Sequence, residues 1–305
     1  MMQALFDIHA DDYAISEHSD KSILDLCAQG KLDSISFIPN LSYAATAAEK
    51  LLQLKNNGSH FPLVSVHINF VEGHCSARPE EVADLVDSNG LFTATWEKLF
   101  VWNYSPLKRS KIRSQLKKEI IAQTEHLLAL NVIDKNGIRF DSHMHTHMIP
   151  LVFDALTDAI KEKNWTVEFI RNTLDPIHCY MGQPGLYKSY SPINIVKCLI
   201  LNFFSVTKIK PALKKMGFRA GLLCGVFFSG HMDRERLPKI LPVFARKSRK
   251  GAFVSEILFH PCLMKEDELS PEFNKEGINE FHLSPNRMIE FEAANSLPFA
   301  DYTRN

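Results

Sequence analysis

Short apolar runs alternate with longer amphipathic stretches along this chain. The runs typical of β-strands are Gln3–His9, Ser34–Pro39, Leu63–Phe70, Ile138–His145, Thr166–Arg171 and Val254–His260, with a weaker one near Phe218–Leu223. Between them, Ser16–Gly30, Ser42–Leu54 and Ser110–Leu130 place apolar residues at helical spacing. This repeated alternation of strand and helix predicts an α/β fold with mostly parallel strands, and the chain length favours a closed or nearly closed (β/α) barrel of the TIM-barrel type.

The composition is consistent with this architecture. The 305 residues are 45% hydrophobic and 23% charged, which is typical of a soluble globular protein with a large core. We find no internal repeat and no low-complexity linker. We therefore expect one domain over residues 1–305, with a less readable helical segment around 180–250.

Charge and cysteine usage limit the partners and the compartment. Basic and acidic residues number 35 each, so the net charge argues against a protein that binds nucleic acid or an anionic membrane through its overall electrostatic field. Binding through a local basic patch is the alternative. The basic cluster at 108–118 is expected to be a solvated helix surface. The cluster at 246–250 is expected to be the basic last turn of a helix that ends at Gly251. Six cysteines without a CxxC motif favour a reducing, cytoplasmic setting. The sequence does not decide the oligomeric state, and a homodimer is one candidate.

The most apolar stretch, Cys198–Val206, is interrupted by Asn202 and bounded by Lys197 and Lys208. It is far shorter than the ~20 apolar residues that a membrane-spanning helix needs. We therefore expect a buried helix here and no integral membrane segment.

Ionisable side chains collect where the predicted strands end. The runs at or near these ends are His9–Tyr13, Pro39–Asn40, His67–Asn69, Asp141–His147, Arg171 and His260–Pro261. Active sites of (β/α) barrels lie at the C-terminal ends of the strands, so we expect these residues to surround one site. Each buried ionisable group costs desolvation unless it is paired or binds a metal, and a purely structural barrel has no need of such a collection.

Two imidazoles and a carboxylate from different strands are a common arrangement for a divalent metal that acts on a substrate. The ligand set that we predict is Asp12, His67 and His143. Histidine nitrogens favour zinc, whereas a carboxylate with water in the remaining positions also admits magnesium or manganese. The sequence therefore predicts one divalent ion, Mg or Zn, whose identity stays open.

Three histidines stand at alternate positions in the run His143, His145 and His147. On an extended strand the first and third would lie ~13 Å apart, so all three could not bind one ion. A neighbouring pair, either His143 with His145 or His145 with His147, is the alternative ligand choice. Otherwise we expect His145 and His147 to contact substrate or to orient the ligands, and Asn40 to contact substrate. The isolated histidines are expected to be ordinary surface or packing residues: His18, His60, His126 and His282.

Four motifs resemble, in order and spacing, those of the YdjC-like family of carbohydrate deacetylases, which includes the chitooligosaccharide deacetylases. They are Ala10–Tyr13, Val66–Asn69 followed by Glu72-Gly73, Asp141–His147 with Pro150, and His260-Pro261. The resemblance extends from residue 3 to about residue 265 and is thin between Cys179 and Gly251. It implies a distorted (β/α) barrel that uses a divalent metal to remove an acetyl group from an N-acetylated sugar.

The resemblance also implies individual roles. Asp12, His67 and His143 match the family's metal ligands, Asp11 its general base and His260 a histidine that can act as general acid. Arg171 matches a recurring arginine near substrate.

The chain departs from the family pattern at positions beside these motifs. Ala14 stands where the family usually has glycine, and Phe70-Val71 replaces the usual Leu-Thr. An alanine at that turn costs backbone freedom, and the second change removes a hydroxyl that is a candidate contact for sugar or ligand. These changes leave the metal ligands and base intact and put specificity for chitooligosaccharides in question.

The function expected from these residues is metal-assisted hydrolysis of an acetamido group. One alternative is a metal-dependent hydrolase of another amide or an ester. A second alternative is a carbohydrate-binding protein without turnover, which the intact set of ionisable residues speaks against.

Overall fold

The computed structural model describes residues 5–303, and within them seven strands form one parallel sheet. The strands are β1 Phe6–Tyr13, β2 Ser34–Phe37, β3 Leu63–Ile68, β4 Ile138–Ser142, β5 Val167–Ile170, β6 Leu222–Cys224 and β7 Ser255–Phe259. Their order is β5-β4-β3-β2-β1-β7-β6, and every pairing is parallel. The C-terminal ends of all seven strands therefore lie at the same end of the sheet.

The sheet curls into a distorted (β/α) barrel that stays open between its two edge strands. In the described part of the chain, β5 and β6 share no ladder. Leu223 N donates to Leu174 O across this gap at 2.9 Å, and the Asn172 side chain donates to Gly221 O at 3.2 Å. These bonds draw the edges together, and the predicted barrel architecture is confirmed.

Helices connect successive strands and cover the outer side of the sheet. They are α1 Glu17–Ala28, α2 Ala44–Asn56, α3 Trp96–Asn103, α4 Arg109–Ala129, α5 Pro150–Lys163, α6 Pro192–Phe204, α7 Lys210–Lys215, α8 Leu237–Gly251, α9 Glu276–His282 and α10 Asn286–Ser296. The apolar positions of α4 that repeat at helical spacing, Leu116, Ile120 and Leu127, are fully buried. One large hydrophobic core includes residues from Phe6 to Ala294.

The predicted strands and helices are found with shifts of a few residues at their ends, with two differences that matter for function. Residue 3, the predicted start of the first strand, lies outside the described residues, and β1 continues past His9 to Tyr13. The fourth strand was predicted to reach His145, but it ends at Ser142, because Met144 (φ 53°) and His145 (φ 55°) adopt left-handed backbone conformations. The alternating geometry of an extended strand therefore does not apply to the histidine run.

The predicted buried helix at Cys198–Val206 is buried on one side only. Cys198, Leu201 and Phe204 enter the core, whereas Leu199, Phe203 and Val206 are 55–60% exposed. A turn of π-helix, Ser205–Ile209, joins α6 to α7, so that Pro192–Lys215 is one helix of 24 residues. The most apolar 18-residue stretch of this helix has a mean hydropathy of 1.3, and 28% of that stretch is buried. By length and composition alone, the helix could cross a membrane. The predicted helix is therefore present, but it is longer than expected and only one of its sides is buried.

Candidate active site

A bulge at the end of β1 brings two neighbouring carboxylates to the mouth of the barrel. The register with β2 shifts between Ala10 and Tyr13, and Asp12 (φ 67°) and Ala14 (φ 80°) have positive φ. Adjacent side chains of a regular strand point to opposite faces, and the bulge allows both Asp11 and Asp12 to line one cavity. The Asp20 carboxylate accepts a hydrogen bond from Ala14 N at 2.9 Å, which holds the strained turn.

Asp12, His67 and His143 come together at this mouth with donor atoms within 4.8 Å of one another. Asp12 Oδ1 lies 2.9 Å from His143 Nδ1 and 3.6 Å from His67 Nε2. His67 Nε2 is buried and has no hydrogen-bond partner. A buried, unpaired ring nitrogen facing a carboxylate is costly by itself and suits a cation, so these residues fit the predicted divalent ion.

Asp141 orients the imidazole of His67. Its Oδ1 lies 2.6 Å from His67 Nδ1, which leaves Nε2 directed toward Asp12. A carboxylate on the second nitrogen of a ligating histidine fixes the tautomer and makes the ligand more basic. The Asp141 side chain also contacts the guanidinium of Arg171 at 3.1 Å.

His143 belongs to a closed ring of five side chains on the other side of Asp12. His143 Nε2 lies 3.1 Å from Glu72 Oε1, and Glu72 Oε1 lies 3.0 Å from His282 Nε2. Arg287 Nη2 closes the ring by donating to His282 Nδ1 and to Asp12 Oδ2, both at 3.0 Å. The ring fixes the orientation of Asp12 and His143 from residues that are far apart in the sequence.

Within the described residues, two further groups of side chains have the spacing of metal ligands. They are Glu72, His143 and His282, and His9, Asp11 and Asp141. His143 appears in the first of these as well as in the predicted set, and neither His145 nor His147 appears in any of the three groups.

The charges around the ligands shift their pKa values strongly. Burial lowers the pKa of His67, but the carboxylates of Asp11 and Asp141 outweigh this effect and raise it to about 9. Burial is likewise outweighed at His143, where Asp12 and Glu72 raise the pKa to about 10. Burial raises the pKa of Asp12, but His143 more than compensates and holds it well below its usual value. Without an ion, the imidazoles carry protons that a metal would have to displace.

Asp11 is held as an ionised carboxylate. Arg171 Nη1 and Nη2 donate to its two oxygens at 2.9 and 2.8 Å, and His9 Nε2 lies 3.1 Å from Oδ1. Burial raises the pKa of Asp11, but the positive charges of Arg171 and His67 hold it well below its usual range. Arg171 is itself fully buried and also contacts Glu256 at 2.6 Å.

His260 lies across the cavity at the end of β7. Glu290 Oε2 accepts a hydrogen bond from its backbone N at 2.7 Å and lies 3.5 Å from its Nδ1. The ring of Phe281 packs edge-on against the imidazole, with centroids 5.2 Å apart. The side chain is therefore fixed on two sides while it still lines the cavity.

The two later histidines of the run have different environments. His147 Nδ1 is bonded to Ser142 and its Nε2 to Arg171 O, so both ring nitrogens are used inside the protein. His145 lines the cavity, and its Nδ1 is buried without a partner. Burial and the nearby charges of Lys197 and Arg171 lower the pKa of His145 well below its usual value, so it is neutral at neutral pH.

The cavity has a volume of about 240 Å³. It is lined by the strand-end residues described above and by residues from later parts of the chain. Its lining includes Asp11, Asp12, His67, His143, His145, His260, Asn194, Lys197, Ser229 and Phe281. Arg171, His147 and Asn40 lie outside this lining. Asn40 Nδ2 donates to Glu72 O and His74 O, so it braces the loop after β3. The substrate contacts expected of these three residues stay predictions.

Sequence reasoning missed several residues that hold the site. His282, expected to be an ordinary packing residue, is fully buried in the ring with Glu72 and Arg287. Lys197, treated only as the boundary of an apolar stretch, lines the cavity. Asp141 and Glu72 could have been found from the sequence, because both acids belong to the motifs quoted for the family resemblance. His282 and Arg287 could not, because they lie after residue 265, where the resemblance ends.

The fold and the site together define a (β/α)-barrel protein with a candidate metal site at the strand ends. A family model described as YdjC-like protein matches residues 7–305, so the chain belongs to the YdjC-like family, as the motifs predicted. A carbohydrate deacetylase from Xenopus laevis is 28% identical over 156 residues, which cover 51% of this chain and 47% of that protein. The match therefore spans about half the length of that relative.

A second relative and one solved structure extend the comparison. A carbohydrate deacetylase from Clostridium beijerinckii is 22% identical over 206 residues, covering 68% of this chain and 71% of that protein. A crystal structure from Enterococcus faecalis V583, described in terms of cellobiose-phosphate cleavage, superposes with a TM-score of 0.58 over 97% of this chain and 92% of that one. At 14% sequence identity, this second likeness concerns the fold alone.

Proposed function

We propose that this protein is a metal-dependent hydrolase that removes the acetyl group from an N-acetylated sugar. The observation that carries the proposal is that the donor atoms of Asp12, His67 and His143 converge in the same cavity as Asp11 and His260. Hydrolysis of an amide needs a polarised carbonyl, a base for water and an acid for the departing amine, and this set contains a candidate for each. The activity named for the Xenopus and Clostridium relatives supports the same reaction.

In this reaction the residues of the chain have distinct tasks. Asp11 is ionised at neutral pH and accepts the proton of the attacking water. His260, oriented by Glu290, donates a proton to the sugar amine, because an amine anion is a poor leaving group. Asp12, His67 and His143 would hold the divalent ion, which when bound would supply Lewis acidity toward the carbonyl and the water.

The size and lining of the cavity favour a small sugar substrate. At about 240 Å³ it lies below the ~300–1,000 Å³ of common ligand pockets, which favours one enclosed acetamido sugar unit with any further units outside. Asn194, Lys197 and Ser229 provide polar groups for hydroxyls or the acetyl oxygen, and Phe281 provides an aromatic surface for the sugar ring. Arg171 acts in this scheme by holding Asp11.

Mass spectrometry of a panel of N-acetylated and otherwise N-acylated sugars, incubated with the protein and either Mg²⁺ or Zn²⁺, tests the proposal. We expect loss of acetyl from at least one acetamido sugar, and no loss after treatment with a chelator. Asp11→Asn should abolish turnover while retaining sugar binding, and the exposed Asp134→Asn is the matched control. Intact substrates throughout would contradict the proposal, whereas release of a different acyl group would support the alternative amide or ester hydrolase.

We place this activity in the cytoplasm. All six cysteines are free, and five of them are buried, which supports a reducing compartment. Fluorescence microscopy and fractionation of cells that express a fluorescent fusion to the full chain measure the location.

A further inference from the structure

The outward side of the α6 helix presents a continuous row of apolar side chains to solvent. Ile193, Val196, Leu199, Phe203 and Val206 are 55–78% exposed, and we refer to these five residues as the apolar stripe. They repeat at intervals of three or four residues, so they share one side of the helix. Surface helices of soluble proteins normally carry polar residues on this side, so the stripe indicates a contact that the isolated chain does not supply.

Further apolar surface adjoins the stripe. The rings of Phe100 in α3 and Phe204 in α6 pack with centroids 6.0 Å apart, and α3 and the loop after it carry exposed Val101, Tyr104 and Leu107. On another side, Leu199 lines an open, mainly apolar cleft of about 600 Å³ that also contains Lys247 and Lys250. The exposed apolar area is therefore larger than one helix.

The charged residues in the chain segment that contains the stripe are all basic. No acidic residue occurs between Asp175 and Asp233, and the basic residues in this interval are Lys188, Lys197, Lys208, Lys210, Lys214, Lys215 and Arg219. Lys210, Lys214 and Lys215, on the final turns of the same helix, are exposed. In a chain with balanced overall charge, this is a strong local excess of positive charge beside an apolar surface.

The inner side of the helix is tied to the barrel by polar contacts. The Asn202 side chain makes two hydrogen bonds with the backbone of Asp175, at 2.8 and 2.9 Å, and Ser205 Oγ donates to Asn172 Oδ1 at 2.7 Å. Lys208 pairs with Asp154 at 2.7 Å. A membrane-spanning position would break these contacts and strip the helix from the core, so an orientation in the plane of the membrane interface fits better.

We propose that the apolar stripe is a docking surface for an anionic lipid bilayer, with α6 lying in the interface and the neighbouring lysines contacting lipid headgroups. Apolar side chains on one side of a helix and basic residues around them are the features that bind such surfaces. A second copy of this chain is a weaker fit, because it brings the same excess of positive charge to the contact. Ile193 and Lys197 also line the catalytic cavity, so its mouth lies next to the docking surface.

Sedimentation of the full protein with vesicles tests this proposal directly and does not depend on the proposed deacetylation. We expect binding to vesicles of equal parts phosphatidylcholine and phosphatidylglycerol, and weaker binding to phosphatidylcholine alone or at high salt. The double variant Val196→Ser with Phe203→Ser should bind at least about tenfold more weakly, because interfacial binding scales with buried apolar area. Leu63→Ser, at an exposed apolar position at the start of β3, should bind like the unmodified protein.

A charge variant and an oligomer measurement complete the test. Lys210→Gln, Lys214→Gln and Lys215→Gln together should weaken binding to the anionic vesicles, while Lys55→Gln, Lys135→Gln and Lys161→Gln together should not. Circular dichroism and thermal unfolding confirm that each variant is folded. Failure to bind anionic vesicles, or equal binding by the stripe variant, overturns the proposal. A vesicle-independent dimer in light scattering that the stripe variant dissociates would also overturn it.

Discussion

The loop that positions Glu72 requires a glycine at the next position. Gly73 has φ 78°, and a Cβ built on it would lie 2.6 Å from Leu41 Cδ2 and 2.8 Å from Asn40 Nδ2. Neither neighbour can move easily, since Leu41 is buried and the Asn40 amide is bonded to Glu72 O and His74 O. Gly73→Ala therefore combines left-handed backbone strain with overpacking.

The expected loss in the free energy of unfolding is about 2–5 kcal/mol, from about 1–2 for the backbone conformation and about 1–3 for the overpacked site. Gly58 provides a matched control: its φ is 70° and an added Cβ meets nothing within 4 Å. Gly58→Ala should cost only the backbone contribution, about 1–2 kcal/mol. Equilibrium denaturant unfolding of both variants measures the difference, and equal losses would refute the role of the contact with Asn40 and Leu41.

Three further predictions concern the catalytic candidates. His260→Gln should lower kcat by about 10²–10⁴-fold with unchanged affinity for the divalent ion, measured by steady-state kinetics and calorimetry; a parallel loss of ion affinity would contradict its role as general acid. Zinc affinity should rise with pH, because His67 and His143, with pKa values of about 9 and about 10, must release protons to bind metal. Calorimetry in buffers of different ionisation enthalpy counts these protons, and a pH-independent affinity would be inconsistent with the two ligands. In the metal-free protein the same raised pKa values stabilise the fold fully below about pH 6.5, and this contribution should disappear as the pH rises through about 9–10, as denaturant unfolding can test.

The barrel and the polar mouth were predictable because both depend on local patterns. Each strand of the sheet is a short apolar run, and the parallel arrangement follows from the intervening helices. Asp11 and Asp12 lie near the C-terminal end of β1, and His67 lies near the end of β3. Because the ends of parallel strands share one mouth of the barrel, these residues are expected to come together without further information.

The supporting contacts were not predictable because they join residues distant in the sequence or depend on unusual backbone conformations. Arg287 and His282 reach Asp12 and Glu72 across more than two hundred residues, and no local periodicity reports such a contact. The left-handed conformation of Met144 and His145 follows the early end of β4, and residues other than glycine rarely adopt this conformation. The exposed stripe on α6 is also hidden in the sequence, because a helix that is apolar all round is normally buried.

The central claim is that one divalent ion is held by Asp12, His67 and His143. Anomalous diffraction from a crystal soaked with zinc tests it most directly. We predict a single strong peak at about 2.0–2.2 Å from an Asp12 oxygen and from one nitrogen of each histidine. A peak held instead by Glu72, His143 and His282, or no peak at the barrel mouth, would contradict it.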